Sequence, residues 1–69
     1  MSSTFKVVVE EWAGVNRYRY VESVGENFSR EAVKTMLALH SKYAQRKGFH
    51  GRVVVRYDYS GKEYNSIEI

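Results

Sequence analysis

The sequence predicts an α+β fold, a two-layer sandwich in the order ββαββ, in which one helix packs on one face of a four-stranded, mainly antiparallel sheet. Two alternating β-branched segments precede a segment of helical periodicity, and two further alternating segments follow it. The 69 residues suffice for a single domain, residues 1–69, with one core. Because one helix covers only one face of a sheet, the other face is expected to meet solvent or a partner.

The first two strands are predicted over residues 4–12 and 15–24, where β-branched and polar residues alternate. The turn signal Ala13-Gly14 joins them, either as a two-residue turn or as a four-residue loop over residues 13–16. Both connections give the same partition of faces. The nearly uncharged side is expected to face the helix and carries Phe5, Val7, Val9, Tyr18, Tyr20 and Val24.

The helix has signals at both ends. Ser29 is predicted as its N-cap, Glu31 suits the positive first turn, and Gly48 is predicted to take the left-handed position after the C-terminus. The apolar stripe expected to face the sheet comprises Val33, Met36, Leu37, His40, Tyr43 and Ala44. The basic residues on the opposite side are expected to form an ordinary solvated helix face, and they are Arg30, Lys34, Lys42 and Arg46.

The last two strands are predicted over residues 52–58 and 62–69, with a type I turn and glycine bulge over residues 58–61. This register pairs Asp58 with Lys62, Arg56 with Tyr64, Val54 with Ser66 and Arg52 with Glu68. It sends Val53, Val55, Tyr57, Ile67 and Ile69 to the helix side. A fully antiparallel sheet then has the strand order 2-1-3-4, and the order 1-2-3-4 with one parallel pair remains open.

The uncovered sheet face is the candidate functional surface. Its predicted members are Lys6, Val8, Glu10, Trp12, Arg17, Arg19, Val21, Arg52, Val54, Arg56 and Tyr64. Arginines beside flat aromatic rings suit phosphate contact and base stacking, and the same residue types dominate protein–protein hot spots. The residues expected to bind a partner are Lys6, Trp12, Arg17, Arg19, Arg52, Arg56 and Tyr64. The alternative is a solvated face whose arginines pair with Glu10, Asp58 and Glu68.

No catalytic constellation is visible, so a non-enzymatic protein without cofactor or metal is expected. His40 lies within the helical apolar stripe, which is typical of a core or rim histidine with a hydrogen-bond partner. His50 lies in a loop without a spaced metal-ligating partner. Glu10 and Glu11 are adjacent and point to opposite faces, so they do not form a catalytic acid pair. The absence of cysteine excludes disulfides and thiolate metal sites.

Composition favours acidic partners mildly, since the net charge is +3 and the pI is about 9.3. No apolar run approaches the ~20 residues of a membrane span. The start, Met1 to Thr4, lacks the basic and long apolar segments of a signal peptide. A cytoplasmic protein is therefore expected.

The segments Ser29–Ala32 and Phe49–Val53, in a short chain of ββαββ layout, resemble small phage-encoded proteins. These proteins include inhibitors of type I CRISPR surveillance complexes. The resemblance implies a stoichiometric inhibitor that binds a nucleic-acid-handling protein or ribonucleoprotein complex of the host, in the host cytoplasm. Such inhibitors often occupy a surface that the target nucleic acid needs.

Three functions remain open from the residues. The leading hypothesis is a phage or mobile-element inhibitor that binds and blocks a host defence complex. The second is direct nucleic-acid binding by the same basic face. The third is a homodimeric interaction module that pairs through Val8, Val21 and Val54, or through an exposed edge strand.

Overall fold

A computed structural model describes residues 3–69; Met1 and Ser2, part of the segment judged to lack signal-peptide features, lie outside the described residues. The elements are β1 (Phe5–Gly14), β2 (Arg17–Phe28), α1 (Ala32–Ala44), β3 (Gly51–Tyr57) and β4 (Glu63–Glu68). The predicted ββαββ fold is confirmed, with four antiparallel strands in the order β2-β1-β3-β4. The alternative order 1-2-3-4 is wrong.

The core lies between α1 and the two central strands. Its buried members are Phe5, Val7, Val9, Ala32, Met36, Leu39, Tyr43, Val53 and Val55. The five strand residues in this core were all predicted on the helix side. Tyr57, Ile67 and Ile69 pack against it as partly buried side chains, also as predicted.

The helix is rotated from its predicted orientation. The residues that α1 buries are Ala32, Met36, Leu39 and Tyr43. Met36 and Tyr43 are confirmed, whereas Val33, Leu37 and Ala44 are exposed and were assigned to the core wrongly. The buried residues repeat at intervals of four, three and four, so the stripe is centred on the long side chains of Met36 and Tyr43.

The predicted N-cap is also wrong. Glu31 is the N-cap, in right-handed helical conformation, and no side chain caps the helix. Instead, the backbone N–H of Ala32 donates to the carbonyl of Ser29 at 3.0 Å, so a tight turn satisfies the first donors. At the other end Gly48 has φ +83, as predicted, but α1 ends at Ala44, four residues earlier.

The first hairpin turns later than predicted, at residues 15–16, with Asn16 at φ 55. Asparagine tolerates this left-handed conformation better than most residues. This turn opposes Gly14 to Arg17, and a register shift between Gly14 and Trp12 then pairs Trp12 with Tyr18 and Glu10 with Tyr20. The two predicted connections had paired these strands three residues and one residue out of step. A one-residue slip moves every side chain to the other face, so Tyr18 and Tyr20 lie on the uncovered face, not in the core.

Two more predicted positions in β2 are wrong, and both lie next to register shifts farther along the strand. The pairing jumps between Val9 and Glu10, which leaves Val21 without a directly opposed residue in β1. Val21 packs against the core on the helix side, so its placement on the uncovered face was wrong. A second shift falls opposite Val24, which is exposed and not part of the core.

The second hairpin has the predicted glycine, with Gly61 at φ +73, but closes one residue earlier. The N–H of Tyr57 donates to the carbonyl of Lys62 at 2.9 Å, so Asp58 does not oppose Lys62. Arg56 pairs with Glu63 rather than Tyr64, and a register shift at this point restores the predicted pairing farther along β3. Tyr64 turns to the helix side, where its ring centroid lies 4.6 Å from that of Phe5.

Asp58, at the end of β3, forms hydrogen bonds to residues at the ends of two other strands. Its Oδ2 accepts hydrogen bonds from the Thr4 hydroxyl at 2.7 Å and from the Asn27 N–H at 2.9 Å. The Asp58 N–H donates to the Thr4 carbonyl at 3.1 Å. The beginning of β1 and the end of β2 are thus both anchored to the end of β3.

Candidate binding surface on the uncovered sheet face

The middle of the uncovered face is closed by charged side chains. Val8 and Val54 point away from α1, yet they are only 8% and 0% exposed. Glu10 lies beside them and accepts from Arg52 Nε at 2.8 Å and from Arg56 at 3.4 Å, and Arg52 reaches Glu63 at 3.3 Å. We call Glu10, Arg52, Arg56 and Glu63 the charged roof, because their aliphatic stems shield the valines from water.

Within the charged roof, the two carboxylates compensate the charges of the two arginines that were predicted to bind a partner. Two positive groups share two carboxylates, and the Arg52, Arg56 and Glu10 side chains are three-quarters or more buried. Charges withdrawn from water to this degree depend on their partners, so neither arginine is free to turn outward at low cost. Pairing with Glu10 was foreseen in the alternative of a solvated face; pairing with Glu63 was not.

The end of this face near the first hairpin carries exposed aromatic rings. We call Trp12, Tyr18 and Tyr20 the aromatic platform: Trp12 opposes Tyr18 in the register, and Tyr20 follows Tyr18 at the spacing of one strand face. Trp12 is 48% and Tyr20 64% exposed. These rings form an apolar patch with hydrogen-bonding tips, beside the charged roof.

Two contacts hold the aromatic platform in place. The guanidinium carbon of Arg52 lies 4.0 Å from the centroid of the Tyr18 ring, a cation–π contact that links the platform to the charged roof. The His50 ring stands edge-on to Trp12, with centroids 5.6 Å apart and planes at 73°. The backbone N–H of Trp12 also donates to the His50 carbonyl at 2.8 Å and joins the two segments. Anchored rings lose little conformational entropy on binding.

The other predicted binding residues divide between the two faces. Lys6 lies on the uncovered face opposite Arg56. Arg19 pairs with Glu11 on the helix side, and Arg17, which alternates with Tyr18 in β2, shares that side and is exposed beside the turn. The assignments of Arg17, Arg19 and Tyr64 to the uncovered face were therefore wrong. The fold brings together Lys6, Trp12, Arg52 and Arg56 and separates the other three from them.

Arg19 is held by one carboxylate. Its guanidinium donates a hydrogen bond to Glu11, and this bond, with the charge of Glu11, raises the pKa of Arg19. The Arg19 side chain is well exposed to solvent, and that of Glu11 is partly buried. The pair therefore belongs to the solvated helix side of the hairpin and not to the aromatic platform.

Sequence reasoning missed Tyr18 and Tyr20 as surface residues. Asn16 could have located the turn, because a residue suited to the left-handed conformation marks the second position of a two-residue turn at residues 15–16. The stronger Ala13-Gly14 signal concealed that turn. The turn alone would oppose Trp12 to Arg19; the register shift between Trp12 and Gly14, for which the sequence gives no separate signal, gives Trp12 and Tyr18 a common face.

The remaining polar features serve the fold. His40 Nε2 lies 3.0 Å from the Glu68 carbonyl, which confirms the predicted rim histidine with a hydrogen-bond partner. Within residues 3–69 no group of three His, Asp or Glu side chains could hold a metal ion. No helix of this part of the chain is long and apolar enough to cross a membrane.

The valines proposed for a homodimer surface are not available for it. Val8 and Val54 lie beneath the charged roof, and Val21 packs on the opposite side of the sheet. A dimer through these three residues would require the roof to open and the hairpin to change its register. The prediction that these valines are exposed is therefore wrong, and homodimerisation itself stays a prediction.

Comparison with known proteins found no family model, no curated protein and no solved structure that matches this chain. The resemblance to phage-encoded inhibitors stays a prediction.

Proposed function

We propose that this protein is a non-enzymatic inhibitor, encoded by a phage or mobile element, that binds a host nucleic-acid-handling protein complex and blocks it. It acts in the host cytoplasm. The aromatic platform is the proposed contact, and its exposure on a sheet face left open by α1 is the observation that carries the proposal. Trp12 and Tyr20 supply the exposed ring area, and the Tyr18–Arg52 stack lies beside them.

A protein partner is favoured over a polyanion by the charges of the face. Glu10 and Glu63 lie between the arginines, and Glu68 is exposed at the same end. A phosphate backbone laid across these carboxylates would meet repulsion together with attraction. A protein surface instead gains from burying tryptophan and tyrosine, the residues that most often dominate interface energies.

The aromatic platform has the properties of a hot spot. Its rings have few rotatable bonds, and two of them are anchored, Tyr18 by Arg52 and Trp12 by His50, so little entropy is lost when a partner covers them. Truncation of such a ring typically costs ~2 kcal/mol or more of binding free energy. Replacing Trp12 and Tyr20 together is therefore expected to weaken binding by at least about a hundredfold if their effects add.

The test is an affinity pull-down with tagged protein from lysate of a candidate host, with and without nuclease. The wild-type protein is expected to capture a defined complex that persists after nuclease treatment, and the Trp12→Ala/Tyr20→Ala variant is expected to lose it. Tyr59→Ala is the matched control, because Tyr59 is 78% exposed but lies in the other hairpin. Equal capture by the wild type and the platform variant would rule out the platform as the contact.

Single-stranded nucleic-acid binding is the second candidate, and the exposed ring row favours it. Aromatic rings on an open sheet stack on bases, each worth ~1–3 kcal/mol, and Lys6 on the same face is a phosphate contact for such a strand. Gel-shift titrations at low and high salt, with single- and double-stranded DNA and RNA, test it. Binding that falls steeply with salt and requires Trp12 would favour this function over the first.

A further inference from the structure

A recess lies on the helix side of the first hairpin, which also carries the aromatic platform. Its volume is about 290 Å³, near the lower limit of small binding pockets. Its walls are formed by Glu11, Val21, Arg46, Lys47, Gly48 and Phe49. Since Glu11 and Trp12 are consecutive residues of a strand, the recess and the aromatic platform lie on opposite sides of one hairpin end.

The rim of this recess is positively charged. Arg46 and Lys47 are exposed, and no ion pair within residues 3–69 involves either of them. The Glu11 carboxylate is compensated by Arg19. The lining therefore presents two uncompensated positive charges.

Arg46 is oriented by an aromatic neighbour. Its guanidinium carbon lies 4.6 Å from the centroid of the Tyr43 ring, and Tyr43 is buried in the core. A cation held against a buried ring is restricted in direction, so it meets an incoming carboxylate at a lower entropic cost than a freely moving side chain.

The floor of the recess is apolar. The Phe49 ring packs on Tyr43 with centroids 4.9 Å apart, and Val21 packs against the core. Both side chains are half-buried and present their remaining surface to the recess. An apolar floor with a cationic rim complements a segment in which one apolar side chain is flanked by carboxylates.

We propose that this recess binds an acidic segment of a protein partner, with an apolar side chain on Val21 and Phe49 and carboxylates on Arg46 and Lys47. The inference deepens the proposed function, on which it rests for the identity of the partner. A polypeptide is favoured over a nucleic-acid strand because the recess is a single depression, and the charged roof places carboxylates on the other face of the hairpin. A partner that contacts both sides of the hairpin end reaches both the aromatic platform and the recess.

The test is a titration of the isotope-labelled full chain, followed by backbone amide NMR shifts. The probe is the capped pentapeptide Glu-Glu-Phe-Glu-Glu, and the capped peptides Gln-Gln-Phe-Gln-Gln and Lys-Lys-Phe-Lys-Lys are the controls. Shift changes are expected around Val21, Gly48 and Phe49 with the acidic peptide, and much smaller ones with either control. Added salt is expected to weaken the acidic peptide's binding.

Charge reversal tests the rim. The Arg46→Glu/Lys47→Glu variant is expected to bind the acidic peptide at least about fivefold more weakly, since two attractions become repulsions. The matched control, Arg30→Glu/Lys34→Glu, makes the same change of net charge near the start of α1 and is expected to keep the wild-type affinity. Unfolding curves of both variants exclude a loss of fold.

Three results would overturn the proposal: no shift at millimolar peptide, equal shifts with the glutamine peptide, or equal weakening by the two charge-reversal variants. Stronger perturbation of the same amides by a thymidine decanucleotide would assign the recess to nucleic acid instead. The Trp12→Ala/Tyr20→Ala variant is expected to bind the acidic peptide normally. Failure of the platform in the pull-down and failure of the recess here are thus separate outcomes.

Discussion

The two partners of β1 are paired in different ways. With β3 it forms seven consecutive pairs without a single irregularity, whereas its pairing with β2 contains four register shifts. The regular ladder contains the core valines, and the irregular hairpin carries the exposed aromatic rings and the recess. The fold is therefore built on one pair of strands, and the surfaces available for binding are built on the other.

Burial on both faces explains the regular pair. The valine runs 7–9 and 53–55 lie under α1 on one side and under the charged roof on the other, so each of these six residues is buried. Three successive apolar residues are typical of strands covered on both faces. By contrast, β2 is an edge strand with one neighbour, and bulges there cost less and discourage pairing with other chains.

Gly51→Ala is expected to damage the regular pair most. A Cβ at Gly51 would meet the Glu10 carbonyl oxygen at an impossible distance, the Glu11 Cα at 3.0 Å and the Phe49 ring at 3.0 Å. Two of these contacts are backbone atoms, so β1 and β3 would have to separate. A loss of about 3 kcal/mol or more is expected, from a total near 3–10 kcal/mol for this chain length, measured by urea unfolding with circular dichroism.

Gly48→Ala is the control for this prediction. Gly48 has φ +83, but no atom lies within 4 Å of its added Cβ, so the substitution introduces backbone strain without a steric clash. Its expected cost is about 1–2 kcal/mol. Equal losses of unfolding free energy for the two variants would show that the close approach of β1 to β3 adds nothing to the cost of a Cβ at Gly51.

Glu10→Gln tests the outer cover of the regular pair. The substitution removes the charge shared by Arg52 and Arg56, and it is expected to cost about 1–3 kcal/mol because both arginines lose a partly buried ionic acceptor. Glu26→Gln, on exposed β2, is the control and should leave the unfolding midpoint unchanged. Under the nucleic-acid-binding function, Glu10→Gln should also bind single-stranded nucleic acid more tightly than wild type, because it removes a carboxylate from the face. An unaltered midpoint would contradict the role of the charged roof.

The regular half of the molecule could be predicted from sequence. The alternation of Phe5, Val7 and Val9 and the valine run of the third strand predicted the core side of β1 and β3, and the order 2-1-3-4 was among the two alternatives. These predictions succeeded because a charge on the wrong face of a buried strand is costly, so the pattern allows few registers.

The candidate surface could be predicted only in part. Trp12, Arg52 and Arg56 were placed on the correct face. The residues placed on the wrong face were Arg17, Tyr18, Arg19, Tyr20 and Tyr64. The difference comes from register shifts beside the turns: the one-residue shift between Trp12 and Gly14 inverts the faces of β2, and bulges such as that at Val21 leave little trace in the apolar pattern. The ion pair of Arg52 with Glu63 depends on such a bulge as well.

Arg19→Gln probes the irregular hairpin and is expected to have the smallest effect. The pair with Glu11 raises the pKa of Arg19, so its contribution is complete below the ordinary arginine pKa and is lost only as the pH rises through the raised value. Both values lie far above neutral, so no pH dependence is expected between about pH 6 and 9. The Arg19 side chain is 70% exposed, whereas Arg52 in the charged roof is 22% exposed, and solvent screens the former pair. Urea midpoints equal to wild type across this range are therefore expected. A loss as large as that of Glu10→Gln would mean that the ion pairs of the hairpin support the fold as much as those of the central strands.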